Sequence, residues 1–328
     1  MAGHTSLVMG ANGFLGSHIT RQLTAQKQAV KAFVRASSDT RSIDQLNIPR
    51  CTGDIMDKAS LRDAMQGCDI IYYCIVDTRA WLKDTSPLYR TNIDGLRNVL
   101  DVAVELNIKK FVFTSSIVTI GLNPKGVVDE TDAFNWEDTA PDYVRCRVQA
   151  EKLLFDYCRQ YHLPCVALCV ANTYGPGDIQ PTPHGELIKN IAWQKTSLPI
   201  DCYNPVVDIR DAATAMILAA DKGQSGERYI IVAEHAHQIE IFNYAADAAG
   251  VPHPKLKLSI RMVHNIAFVS EMIMKLFGKR TSLNRESVLL SHIFNKMDNS
   301  KAKTQLGWQP RPIKESIVDA VAFYLKNP

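Results

Sequence analysis

The chain has 328 residues, of which 46% are apolar and 22% charged, and it carries a net charge of only +3. This length can bury a full core in one large domain or two modest ones, and the near-neutral balance gives no electrostatic reason to expect a nucleic-acid partner. No apolar run is long enough to span a bilayer and the first strand pattern begins almost at Met1, so the expectation is a cytoplasmic protein without stable membrane insertion.

Eight cysteines (51, 68, 74, 146, 158, 165, 169 and 202) form no Cys-x-x-Cys pair and have no nearby histidine set. Most lie in apolar runs, which points to reduced, buried thiols and to no metal.

The first informative stretch is Leu7-Val8-Met9-Gly10-Ala11-Asn12-Gly13-Phe14-Leu15-Gly16. Small apolar residues lead into three glycines spaced by three, and Leu15, Ile19 and Leu23 continue at helical spacing. A buried strand, a glycine turn and a helix in that order suit a dinucleotide pyrophosphate. The first glycine permits the tight turn and the second lets backbone approach the phosphates. The third lets the helix pack close to the strand, its N–H groups aimed at the anion.

Val30 to Val34 reads as a second strand. It ends not at an acid that would hold a ribose 2′-hydroxyl but at Arg35, followed by Ser37 and Ser38. A cation with small hydroxyls favours a 2′-phosphate, hence NADP over NAD, with NAD still open. A third strand ends in Gly53-Asp54-Ile55, where Asp54 can accept from an adenine amine, and Asp57 caps a helix through Met65. Cys68 to Val76 is a nearly continuous apolar run, as a central parallel strand requires. Ser86-Pro87 opens a long helix with Ile93, Leu96, Leu100 and Ala103 on its apolar side. Phe111 to Ser116 is another buried strand ending in three hydroxyls, placed where doubly wound sheets bind ligands.

A helix then runs from Tyr143 to about Tyr161. Residues four apart share a face, so Tyr143 and Arg147 project together. Of eleven tyrosines only Tyr143 has a basic residue four positions on. A phenol titrates near ~10, and a cation beside it is expected to lower that value and suit it to proton transfer at neutral pH.

Further on, strand Pro164 to Val170 precedes a break at Gly175-Pro176-Gly177. His184 to Trp193 reads as a helix of a smaller domain. Val206-Val207 and Arg228 to Val232 read as returns to the main sheet around helix Asp211 to Asp221, and helix Ile239 to Ala249 stops at Gly250. Met262, Ile266, Val269, Ile273 and Leu276 recur at helical spacing, joined by Met272, Met274 and Phe277 and flanked by Lys275, Lys279 and Arg280. Three readings of this stripe stay open: a helix closing the second core, a methionine-rich lid over an apolar substrate, and a membrane-surface contact.

Gly-x-x-Gly-x-x-Gly at 10–16, Thr114-Ser115-Ser116 and the Tyr143 helix together resemble an extended short-chain dehydrogenase/reductase of the NAD-dependent epimerase/dehydratase family. So do Tyr174 to Asp178, Val207 to Asp211 and Leu306-Gly307-Trp308-Gln309-Pro310. Arg79-Ala80-Trp81, Tyr89 to Gly95 and Gly226 to Tyr229 look most like its dihydroflavonol-reductase-like branch, which includes 3β-hydroxysteroid dehydrogenases and the hopanoid-associated "sugar epimerase" group. The likeness spans essentially the whole chain.

It implies an α/β fold, a Rossmann-type doubly wound parallel sheet with a smaller, mostly helical C-terminal substrate domain. The sheet domain would take 1–175 with 204–234 returning to it, and the smaller domain 176–203 and 235–328. It also implies Ser116 and Tyr143 as the groups binding the reacting oxygen, with Arg147 where the family has lysine. Gly10, Asn12, Gly13, Phe14, Leu15, Gly16, Arg35, Asp54, Ile55, Cys74, Ile75, Val76, Tyr143, Arg147, Val170 and Asn172 become candidate cofactor contacts.

Three positions depart from the family pattern. Arg147 keeps lysine's charge but not its compact contact. Tyr73-Cys74-Ile75-Val76 replaces His-x-Ala-Ala, and Cys169-Val170 replaces Asn-Pro or Arg-Pro. Three functions follow for weighing. The first is an NADP-dependent oxidoreductase acting on a carbonyl or secondary alcohol of a bulky, fairly apolar molecule. The others are a nucleotide-sugar epimerase or dehydratase and a catalytically weakened NADP-binding sensor or interaction protein. Family members often dimerise through helices matching Ser86–Leu106 and Tyr143–Tyr161, so a homodimer is a further expectation.

Overall fold

The apolar runs of the sequence become strands buried on both faces, and the sheet they build decides where every other element lies. A computed structural model describes residues 3–79, 84–124, 126–195, 198–276 and 285–327. Seven parallel strands form the main sheet: β1 (Thr5–Met9), β2 (Ala29–Val34), β3 (Arg50–Thr52), β4 (Ile70–Tyr73), β5 (Lys110–Ser116), β6 (Cys165–Val170) and β9 (Glu227–Ile231). Their order is β3-β2-β1-β4-β5-β6-β9. Chain order reverses between β1 and β4, which opens a crevice at the carboxyl ends of those strands.

Side chains alternate across the sheet as the two-residue period demands. Val8, Ile70 and Tyr72 join one core with helices α1 (Phe14–Ala25) and α7 (Ile209–Lys222). Leu7, Met9, Ile71 and Tyr73 join the other, with α2 (Lys58–Met65), α4 (Leu96–Glu105) and α5 (Asp142–Tyr161).

The long helix expected from Ser86 is interrupted. Between α3 (Ser86–Tyr89) and α4 lies a π-helical turn, Arg90–Gly95. Asn92 in that turn both accepts from the Asp77 amide at 2.9 Å and donates to its carbonyl at 3.0 Å. Gly95 admits Ile55, whose Cδ1 would lie 2.3 Å from an added Cβ. The bulge thus fixes the chain beyond β4, in keeping with the habit of π-turns to sit at sites.

The second lobe holds a small sheet of β7 (Asn172–Tyr174), β8 (Tyr203–Asp208) and β10 (Glu234–His237), ordered β10-β8-β7. Here the sequence reading needs correcting. Val206-Val207 does not return to the main sheet; it pairs with β7 and β10, and only β9 returns. Two-residue apolar runs look alike in either sheet, and pairing partners decide. Helices α6 (Pro183–Ala192), α8 (Gln238–Ala249) and α11 (Ile313–Lys326) close the lobe's core around Tyr174, Val206 and Ala236.

The motifs near 208 and 308 form the joint of this lobe. Asp208 is fully buried, caps α7 through Arg210 N at 2.7 Å and pairs with Arg210. Arg311 binds Asp211 at 2.9 Å, and Trp308 Nε1 donates to the Asp211 carbonyl at 2.9 Å.

Helix α9 (Ile260–Leu276) packs on α10 (Arg285–Leu290) differently from the simplest expectation. Val263 and Ala267 are its buried residues, against Val288, whereas Met262, Ile266, Val269 and Ile273 face water. The smaller side chains allow the close approach and turn the larger stripe outward. Phe277, Lys279 and Arg280 lie outside the described residues, as does Trp81. Among the described residues no helix is long and apolar enough to cross a membrane.

His18 joins the two lobes: its Nε2 meets the Pro176 carbonyl at 2.9 Å in the break that leaves the sheet. Burial pushes its pKa down to about 4, with the charges of Arg21 and Arg210 adding to the effect. Because the folded value lies below the ordinary ~6.5, the stability His18 contributes is complete above that pH and is lost as pH falls towards 4. Urea unfolding between pH 7 and pH 4 should show this decline, and His18→Gln should flatten it; an unchanged slope in the variant would remove His18 as its source.

Candidate active site

The glycine turn sits where β1 ends. Gly10 has φ +77° and its amide donates to Phe33 O at 3.2 Å, tying the turn to β2. A Cβ on Gly10 would lie 3.2 Å from the Cys74 backbone and from Ile75, and one on Gly16 would lie 2.2 Å from Gly10 O. Both positions need the missing side chain, so α1 and the end of β4 close directly on the turn. Gly13 is exposed at the N-cap of α1, which has no side-chain cap and no acid in its first turn. A bare, uncapped helix start of this kind fits an anion.

The neighbouring candidates divide by what holds them. Asn12 Nδ2 donates to Asp39 O at 3.1 Å while Asn12 O accepts from Ser42 Oγ at 2.8 Å, so Asn12 anchors the loop after β2. Phe14 packs edge-on against His18, and Leu15 lies against the core. Arg35 is exposed at the end of β2 and its carbonyl accepts from Ser38 N at 3.0 Å. Asp39, the acid nearest in sequence, is gripped by Arg41 at 2.6 Å. Asp54 accepts from Met56 N at 2.9 Å, and Ile55 turns its side chain into the core.

Helix α5 supplies the chemical groups. Tyr143, Arg147 and Glu151 stand four apart and therefore on one face, turned to the carboxyl end of β5. Tyr143 is half-buried, and the Ser116 hydroxyl and the Arg147 charge both act on its phenol. Burial raises its pKa, opposed by Arg147 and Ser116. The sequence reading expected a net lowering; the cation pulls in that direction, but desolvation in an apolar wall outweighs it. Tyr143 packs on Val118, Trp136, Ala140 and Val144, a cluster that Leu122, Phe134, Leu290, Ile293 and Phe294 also border.

Arg147 is 1% exposed. Its Nη2 donates to the Thr114 carbonyl and its guanidinium lies 5.3 Å from the Phe113 ring centre. Its Nε has no partner among the described residues. A buried donor left unmade costs about 1–3 kcal/mol, so this nitrogen is a donor that the fold itself leaves spare.

Glu151 is handled the opposite way. It accepts from Ser115 Oγ, from Thr119 Oγ1 at 3.0 Å and from Arg228 at 3.0 Å. Arg228 in turn donates to the carbonyls of Glu130 and Asp132, both at 2.9 Å. Ser115 is thereby locked, leaving Ser116 to face Tyr143. The sequence reading missed Glu151, although its four-residue offset from Arg147 was available as a signal; Asn92 and Arg228 stood in segments that carried the resemblance, but nothing local showed what they bind.

The remaining candidates line the sheet's end. Cys74 receives a hydrogen bond from Thr114 Oγ1 at 3.6 Å, and burial raises its thiol to about 12. Ile75 and Val76 continue from it, half-buried. Val170 pairs in register with Ser116. Asn172 lies beyond, in the second sheet opposite Val206.

The chain matches the NAD-dependent epimerase/dehydratase family over residues 6–232. It belongs to that family. Sterol demethylase protein B of Methylococcus capsulatus is 29% identical over 98% of both chains. A Synechocystis sp. protein provisionally named dihydroflavonol 4-reductase is 30% identical, covering 97% of this chain and 93% of its own. The solved structure of gox2253 superposes with a TM-score of 0.87 at 30% identity over 98% of both chains. The fold is that of the extended short-chain dehydrogenases/reductases, in a family of nicotinamide-dependent oxidoreductases, epimerases and dehydratases.

Removing the carboxylate partner of Arg228 and removing the Arg147 charge should have different effects. Glu151→Ala strands Arg228 and should cost about 3–5 kcal/mol in denaturant unfolding. Arg147→Met removes a charge that no carboxylate balances, so the cofactor-free protein should be as stable as the parent or more so. A loss above about 2 kcal/mol for Arg147→Met would mean that its carbonyl and ring contacts outweigh its desolvation.

Proposed function

We propose that the protein is an NADP(H)-dependent reductase of a carbonyl group on a bulky, fairly apolar substrate, and that Ser116, Tyr143 and Arg147 form its reacting set. The observation that carries this reading is the Tyr143 phenol, packed in an apolar cluster where Arg147 and the Ser116 hydroxyl at the end of β5 both act on it.

The cofactor-binding residues fit a nicotinamide dinucleotide. The Gly10–Gly16 cradle and uncapped α1 suit its pyrophosphate, and the unpartnered Arg147 Nε suits a ribose hydroxyl. Arg35 at the end of β2, with Asp39 already neutralised by Arg41, favours a 2′-phosphate. When bound, this cofactor supplies the two-electron step.

The chain's own residues handle the oxygen. Ser116 orients the carbonyl oxygen and Tyr143 gives it a proton as it becomes the alcohol. A phenol raised by burial remains protonated at neutral pH, which suits a donor and hence the reducing direction. Arg147 stabilises the phenolate left behind. Oxidation of a secondary alcohol is the same chemistry reversed and should gain as pH rises. The apolar residues around Tyr143 support an apolar substrate, as do the sterol and flavonol names of the two relatives.

Two measurements test this. With NADPH and a panel of steroid and flavonoid ketones, Tyr143→Phe should lower kcat by about 10²–10⁴-fold with KM little changed. Undiminished turnover in that variant would remove Tyr143 from the reaction. Calorimetry should show NADPH preferred over NADH, and Arg35→Ala should cost about tenfold or more in NADPH affinity alone. Tighter NADH binding would favour an epimerase, and NADPH binding without any turnover a sensor.

A further inference from the structure

Helix α9 is apolar on two faces, and only one of them is used. Val263 and Ala267 are buried against Val288, Ile200 and Leu258. The other face runs at i, i+4, i+7 and i+11 through Met262, Ile266, Val269 and Ile273, which are 51%, 43%, 46% and 46% exposed. Exposed Met272 and Phe268 widen it on one side. That spacing places the side chains in one stripe along about three turns. Large apolar side chains scattered singly over a surface are ordinary, but a contiguous stripe marks an interaction site.

The charges around the stripe identify what it meets. Arg261 is exposed and, on the helical wheel, flanks Met272 and Asn265. Lys255 stands beside exposed Leu256 in the segment leading into the helix, and Lys257, on the other side of Leu256, is bridged to Asp201 at 3.0 Å. Between residues 252 and 274 the only acid is Glu271. It is half-buried and tied to Arg285 at 3.1 Å. The surface is therefore apolar with a cationic rim. Over residues 252–290 the sequence has seven lysines and arginines against two acids, so a second copy of the chain would set a cationic segment against a cationic segment. An anionic lipid headgroup layer answers that charge.

We propose that this face docks the protein on an anionic bilayer surface. Met262, Ile266, Val269, Met272 and Ile273 enter the acyl boundary, while Lys255 and Arg261 stay at headgroup level. The helix is not long and apolar enough to cross a bilayer, so the contact is peripheral and reversible. The same helix pair leads into Leu290, Ile293 and Phe294 of the Tyr143 wall, which links a lipid-facing surface to the apolar side of the site. The docking stands without the reductase reading, because it is measured without turnover.

The test is cosedimentation of the purified full chain with vesicles of phosphatidylcholine alone or with about one-third phosphatidylglycerol. The protein should pellet with the anionic vesicles, and less so at high salt. Ile266→Asp/Val269→Asp should weaken partition by about tenfold or more. Its circular dichroism and melting temperature should not change, since both side chains already face water. Met262→Gln/Ile273→Gln gives the same reading should the first variant melt lower. Lys255→Ala/Arg261→Ala should lose only the part of binding that depends on phosphatidylglycerol. Absence of binding to anionic vesicles at low salt overturns the proposal, and so does binding that survives both apolar-face variants. A dimer that either variant splits, with no vesicle binding, gives the face to a second copy and overturns it equally.

Discussion

The contact on which the structure depends is between two glycines. Gly16 lies so close to the Gly10 carbonyl that a single methyl group would overlap it, and this lets α1 start directly over the end of β1. The closeness keeps the first turn of α1 free of side-chain bulk, with its N–H groups open at the crevice between β1 and β4. Gly10 in turn rests against Cys74 and Ile75, so the same turn sets where β4 ends.

The second constraint is the division of charge along α5. Glu151 and Arg228 neutralise each other in the interior, and their hydrogen bonds to Ser115, Thr119 and three backbone carbonyls stiffen the end of β5. One turn earlier, Arg147 is equally enclosed but meets only a carbonyl and an aromatic ring. An interior cation so sparsely satisfied is costly to fold around unless something else uses it. Its position beside Tyr143 and its spare Nε make the candidate site the natural user. Substitution of lysine by arginine thus preserves the field at the phenol while making the local stability depend more on what binds there.

Tyr143 shows how two legible facts combine unpredictably. Its helix, its offset from Arg147 and the strand bearing Ser116 all follow from spacing, and all three groups come together. The sign of its pKa shift did not follow, because it rests on burial in a cluster that also gathers Leu290, Ile293 and Phe294 from about 150 residues away in sequence. Asn92 and Arg228 were illegible for the same reason: each acts on backbone groups reached only through tertiary packing.

Local signals by themselves determined the parallel sheet, the glycine turn, the capped helices and the pairing of Tyr143 with Arg147, since these depend on residue period, turn chemistry and separations of four. The tertiary structure alone decided which strands share a sheet and which face of a doubly apolar helix is buried. Val206-Val207 pairs with β7 and β10 because those edges were available to it, and α9 turns its smaller residues inward because only they allow close packing on α10. Both outcomes are competitions between surfaces, and a sequence shows the contestants but not the geometry in which they meet.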